Sequence, residues 1–146
     1  MNSGGAVLVP AVDETSRFFW EATARGELRI QQCRACSTMQ HPPRAFCRNC
    51  MSFDLGSQIV SGRATVVTFT IAMQSFHPSF DTRLPYVLVV VELCEQAGLR
   101  MISNLVRCDP EDVAIGADVE VEFVEQPGDF VLPLFRPATH VADATQ

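Results

Sequence analysis

Two cysteine pairs, Cys33-Arg-Ala-Cys36 and Cys47-Arg-Asn-Cys50, stand ten residues apart and carry the clearest chemistry in this sequence. Zinc favours four soft thiolates in a tetrahedron at about 2.3 Å, and two short knuckles giving two sulfurs each supply that shape with little side-chain ordering. The spacing predicts one closed, structural metal site on Cys33, Cys36, Cys47 and Cys50. Zn2+ is the expected occupant. Iron in the same four thiolates would make an electron-transfer centre, although no redox-partner motif accompanies it. Cys94 and Cys108 lie in or beside apolar stretches, where a free cysteine behaves as a small hydrophobe, and no chemistry is assigned to them.

The ligands need a frame, and the flanking sequence indicates one. Asp13 can cap a helix running to about Arg25, with Gly26 suited to the left-handed residue after its end. Phe18, Phe19 and Trp20 fan over about 200° of that helix, wider than one buried stripe, so a second surface must cover them; it belongs to this chain or to a partner. Leu28 to Gln32 alternates and leads into the first knuckle. Beyond the turn at Ser61-Gly62, Ala64 to Met73 reads as a half-buried strand with Val67, Phe69, Ile71 and Met73 on one face and Val66, Thr68 and Thr70 on the other. Tyr86 to Cys94 is apolar on both faces, which leaves Tyr86, Leu88 and Val90 as an outward stripe.

Leu99 to Val106 reads as a third strand, hairpinned to the second around Gly98. Asp109-Pro110-Glu111-Asp112 suits a short helical segment. In the fourth strand Val119, Val121 and Phe123 alternate with Asp118, Glu120 and Glu122, giving one acidic face. Val131 to Phe135, broken by Pro133, is expected as a short edge strand, and Thr139 to Gln146 as a mobile tail. Five strands with a helical insert between the third and fourth match the five-stranded OB barrel. The expected class is mainly β, divided into an N-terminal helical segment (1–27), a metal ribbon (28–57), an OB-fold barrel (58–137) and a tail (138–146).

Composition narrows the function. The chain has 146 residues, a formal charge of -6 and no lysine, so its 11 basic residues are all arginine. A hydrophobic content of 47% with 19% charged residues argues against intrinsic disorder. The longest apolar run, Tyr86 to Val91, is far below the ~18 residues of a membrane span. Met1 to Pro10 lacks a signal-peptide core, so a cytoplasmic location and reduced cysteines are expected. No paired-carboxylate motif, phosphate loop or open metal position appears. His77 and Asp81 stand four apart without a nucleophile motif, and no catalytic residue is assigned.

The helix bearing Trp20, the lead-in Leu28-x-Ile30-Gln31-Gln32-Cys33-x2-Cys36, Pro42-Pro43-Arg44 before Cys47-x2-Cys50, Ser61-Gly62, Pro85-Tyr86-Val87 and Ile115-Gly116-x2-Val119 occur in this order. Together, over roughly residues 16 to 137, they resemble the zinc-ribbon/OB-fold family, formerly a domain of unknown function, that accompanies thiolase-like enzymes. The resemblance implies a rubredoxin-like zinc ribbon joined to the OB barrel. It further implies a non-catalytic accessory subunit that completes a thiolase-like (thiolase or aldolase) or hydratase enzyme acting on acyl-CoA in lipid, steroid or polyketide metabolism. A hetero-oligomer follows, with acyl-CoA a candidate ligand at the shared interface.

On that reading Phe19, Trp20, Phe76, Phe80 and Tyr86 are candidate partner contacts. Arg44 and Arg83 are candidate contacts to a CoA phosphate, whose oxygens suit the guanidinium fork. The alternative is single-stranded nucleic-acid binding, common among OB folds. A sequence pI near 4.9 and the acidic fourth strand oppose the basic, aromatic groove such binding needs. Arg29, Arg34, Arg44 and Arg48 nevertheless concentrate on the ribbon. Neither nucleic acid nor membrane is an expected partner.

Overall fold

The computed structural model describes residues 8–139. The expected tail beyond Thr139, and residues 1–7 of the N-terminal segment, lie outside the described residues. Helix α1 spans Arg17–Ala24, starting later than Asp13. Asp13 caps a preceding turn instead: its Oδ1 accepts from Ser16 N–H at 2.8 Å, and Ser16 Oγ accepts from Asp13 N–H at 3.1 Å. At the other end Gly26, with φ of 73°, donates to the Thr23 carbonyl while Glu27 N–H donates to that of Ala22, a Schellman closure that satisfies the last carbonyls.

The ribbon is a three-stranded antiparallel sheet of β1 (Leu28–Cys33), β2 (Met39–Gln40) and β3 (Leu55–Val60), ordered β2-β1-β3. The barrel comprises β4 (Arg63–Ala72), β5 (Tyr86–Leu93), β6 (Arg100–Leu105), β7 (Asp118–Gln126) and β8 (Phe130–Pro137). It closes in the order β4-β5-β6-β8-β7, which is the OB arrangement. A 3₁₀ turn, Pro110–Asp112, capped by Asp109, stands between β6 and β7 where a helical segment is expected.

Three local expectations change. A bulge between Val66 and Thr68 in the β4–β5 pairing reverses the inward face of β4, so Val66 is buried before it and Phe69 and Ile71 pack inward after it. Strict alternation would put Val66 and Phe69 on opposite faces. Second, β8 is no short edge strand: it pairs with β7 from Phe130 to Pro137 and meets β6 in parallel at Leu105 and Phe135. The Pro133 carbonyl takes a hydrogen bond from the buried Ser103 hydroxyl at 2.8 Å, linking β8 to β6 by a side chain. Third, Cys94 is exposed just past β5, its Sγ 3.4 Å from Ser61 Oγ, and is not a core hydrophobe; Cys108 does pack against the core.

Leu28, Ile30, Met39 and Val60 of the ribbon sheet share one buried cluster with Val87, Val89, Val91 and Phe135 of the barrel. Each fully buried aliphatic contributes roughly 1.5–3 kcal/mol, so ribbon and barrel stabilise each other through a common core. Helix α1 covers the seam. Phe19, only 5% exposed, stacks on His41 at 5.2 Å, and Trp20 meets Phe130 edge-on at 6.5 Å. The wide aromatic arc is therefore largely covered by this chain. Among the described residues no helix is long and apolar enough to cross a membrane.

Candidate metal centre

The two knuckles repeat one backbone design. Cys33 O accepts from Ser37 N–H and Cys47 O from Met51 N–H, each at 2.9 Å. Cys33 N–H donates to Thr38 O and Cys47 N–H to Ser52 O, again at 2.9 Å. Closing each turn this tightly needs a left-handed residue, and Ser37 and Met51 both sit at φ of 65°. The turns swing the second cysteine of each pair back toward the first and leave all four Sγ atoms within 4.8 Å of one another.

Two pairs cross between knuckles: Cys33 to Cys50 and Cys36 to Cys47, both 3.6 Å. A tetrahedron of sulfurs about 2.3 Å from a zinc ion has edges of about 3.8 Å, so the donor set fits that ion. Thr38 Oγ1 at 3.2 Å and Asn49 Nδ2 at 3.6 Å bring the Cys36 thiol down to about 5. For Cys50, the Ser52 backbone N–H favours the thiolate, but desolvation and the three neighbouring thiols push it up to about 12. Four crowded sulfurs resist joint ionisation unless a cation sits among them. Bound there, zinc supplies folding energy and rigidity, with no position left for a substrate.

A buried amide pair holds the second knuckle to the sheet. Gln31 and Gln40 face each other across β1 and β2, 5% and 2% exposed, and Gln40 Nε2 donates to Gln31 Oε1 at 2.6 Å. Gln31 also donates to Arg44 O at 2.8 Å and accepts from Arg44 N–H at 2.9 Å. Gln40 donates to Phe46 O at 3.0 Å and accepts from Arg48 N–H at 2.9 Å. In the sequence Gln31 reads only as part of the lead-in, and Gln40 carries no reading at all. Their signal was two glutamines placed to pair where a strand and a Pro-Pro-Arg loop must meet.

The other expected site residues fall in separate places. Phe19 is core and Trp20 half-buried, so Phe19 offers no partner surface. Arg44 is exposed on the ribbon. Phe80, Arg83 and Tyr86 do come together at the barrel mouth: the Phe80 and Tyr86 rings are 5.6 Å apart, and Arg83 lies 5.7 Å over Phe80 while donating to Gln126 Oε1 at 3.0 Å. A 3₁₀ turn, Pro78–Arg83, carries Phe80 and Arg83, while Tyr86 opens β5; His77 caps the turn, its Nδ1 accepting from Ser79 N–H at 3.2 Å. Phe76 is 96% exposed beside this turn. On the outer barrel face Tyr86 is half-buried, Leu88 is exposed, and Ile102, opposite Val90, extends the apolar stripe in a way the sequence did not signal.

The acidic face of β7 is largely neutralised within the chain. Arg107 forms a forked pair with Glu122, which holds that carboxyl below its ordinary range, and Arg136 Nη2 reaches Glu120 at 3.0 Å. Among the described residues no basic groove crosses the barrel there.

Comparison with known proteins adds four findings. Residues 20–56 match the model of the ChsH2 rubredoxin-like zinc ribbon domain, and residues 58–124 that of the ChsH2 C-terminal OB-fold domain. A probable enoyl-CoA hydratase alpha subunit from Thermomonospora curvata is 38% identical over 129 residues, 88% of this chain but 39% of that protein. The chain thus spans about two fifths of that relative's length. A DUF35 domain-containing scaffold protein from Methanocaldococcus jannaschii is 34% identical over 67% of this chain and 70% of its own. Among solved structures, a chain of the Ltp2-ChsH2(DUF35) aldolase superposes with a TM-score of 0.81 at 37% identity, covering 90% of this chain and 100% of that one.

Proposed function

This chain belongs to the ChsH2-type DUF35 family of zinc-ribbon and OB-fold proteins, and from that membership we propose that it is a non-catalytic accessory subunit of a thiolase-like or hydratase enzyme acting on acyl-CoA. The observation that carries the reading is the match, over 90% of this chain and the whole of the other, to a chain of the Ltp2-ChsH2(DUF35) aldolase. The partial match to a hydratase alpha subunit and the scaffold protein at comparable identity support it from two further sides.

The chemistry of the chain agrees. Its metal ligands form a closed set, and the groups that could be drawn as catalytic are engaged in structure, His77 as a cap and Arg83 on Phe80 and Gln126. Exposed Leu88, Ile102 and Phe76 leave apolar surface of the kind that marks association. Free thiols and a thiolate metal centre support a reducing, cytoplasmic setting for this work.

The test is co-expression with its cognate thiolase-like or hydratase subunit. A stable hetero-oligomer that raises the partner's activity or solubility is expected. A partner fully active alone that never co-purifies would overturn the reading.

A further inference from the structure

The tip of the zinc ribbon presents a surface that neither the metal site nor the core uses. Phe46, Met51 and Phe53 are 37%, 63% and 79% exposed around the second knuckle, and the Phe46 and Phe53 rings meet edge-on at 6.3 Å in solvent. Arg44 and Arg48 are exposed beside them, with no ion pair to either side chain among the described residues, whereas Arg34 is tied to Asp54 at 3.1 Å. An apolar, aromatic and methionine centre rimmed by arginine has the composition of a protein interface.

Met51 adds an independent observation. It occupies the left-handed position that closes its knuckle, where a side chain costs energy and glycine would not. The equivalent position in the first knuckle holds a small Ser37. A large apolar side chain kept in a strained conformation, without being buried by its own chain, points to burial by another.

We propose that this tip is a docking surface for a partner protein offering an apolar hollow bordered by aspartate or glutamate carboxylates. Charge complementarity selects that occupant: the chain is acidic overall at -6, yet Arg34, Arg44 and Arg48 gather at this end, where Asp54 pairs with the first of them. Three arginines around a compact cluster are too few to track a nucleic-acid backbone, which takes a longer basic groove with stacked aromatics. The metal-clamped knuckle holds Met51 and Phe53 ready, so little ordering opposes binding. The inference rests on the docking role proposed above and gives that role its surface on the ribbon.

Phe53→Ser, Met51→Ser and Arg48→Glu test it, each first shown to retain zinc and the wild-type circular dichroism. Met51→Ser places in the second knuckle the residue type that the first already accommodates as Ser37. Calorimetric titration against the thiolase-like or hydratase subunit that co-purifies with the native chain should show each variant binding at least ~10-fold more weakly, as at an interface hot spot. Arg48→Glu should also flatten the dependence of affinity on salt. Unchanged affinity in all three variants, with the complex intact, overturns the tip as docking surface and leaves the accessory role standing. Failure to find any such complex overturns both. Oligothymidine binding that Phe53→Ser abolishes, with enzyme binding unaffected, reassigns the tip to nucleic acid and overturns the proposal.

Discussion

Gln40 Nε2 donates to Gln31 Oε1 at 2.6 Å, and the two amides so joined grip, through their bonds to Arg44, Phe46 and Arg48, the loop that delivers Cys47 and Cys50. Removing the Gln40 amide leaves the part-buried Phe46 carbonyl and Arg48 N–H without their partner, at up to about 1–3 kcal/mol for each. Gln40→Ala should therefore loosen the knuckle without touching a ligand. Zinc affinity, read by competition with a chromophoric chelator, should fall roughly 10–100-fold, as when groups orienting a metal's ligands are lost. An unchanged affinity would show that the knuckle is held by its own turns alone.

Loss of the metal should be felt far from the ribbon. Leu28, Ile30, Met39 and Val60 lie in the same buried cluster as the barrel strands, so an unfolded ribbon uncovers the barrel core. Structural zinc contributes on the order of 10–16 kcal/mol of folding free energy in small ribbons and fingers. Purified protein should carry about one zinc per chain with four sulfur ligands near 2.3 Å by X-ray absorption. Cys36→Ser should be insoluble or molten throughout; a soluble variant with a native barrel would mean that the two modules fold independently.

Gly62 joins ribbon to barrel at φ of 81°, and a Cβ there would run into the Val121 side chain of β7. Gly98 has a similar φ of 78° with nothing within 4 Å of its would-be Cβ. The pair separates backbone strain from collision. Gly98→Ala should cost about 1 kcal/mol from the left-handed backbone alone, and Gly62→Ala about 3 kcal/mol once overpacking is added. Urea unfolding of both, and of Gly62→Ala with Val121→Ala, checks this; the second substitution should recover part of the loss.

The four thiol ligands were legible because a Cys-x2-Cys knuckle closes on a metal by local geometry alone. The barrel was legible for a similar reason, since Val87, Val89, Val91 and Leu93 alternate without interruption and all four are buried. Legibility ended where a second element decides the outcome. Val66 reads as facing away from Phe69 and Ile71 until the bulge against β5 is known, and Val131 to Phe135 reads as a short edge strand until its full pairing with β7 is seen. The roles of Gln31 and Gln40 depend on a loop returning from thirteen and eight residues away, which no periodicity records. Trp20 and Phe19 were legible as needing cover, but only the fold supplies His41 and Phe130 to provide it.

His41 gives the fold a built-in acid sensitivity. Its ring packs on Phe19 of α1, Nδ1 is buried without a hydrogen-bond partner among the described residues, and burial pushes its pKa down to about 4. In the unfolded chain the imidazole titrates near 6.5, so between about pH 6.5 and 4 the unfolded state holds the extra proton. The stabilising preference for neutral His41 is thus complete above pH 6.5 and is lost as pH falls toward 4, with no further change below. From pH 7 to pH 5 the loss is about 2 kcal/mol. Zinc release also depends on pH, but it is common to the wild type and to His41→Phe, which keeps an aromatic ring against Phe19 and cannot titrate. The difference in unfolding free energy between the two proteins should therefore shift by about 2 kcal/mol in favour of His41→Phe across that interval. A constant difference would mean that water or a proton reaches Nδ1 in the folded state.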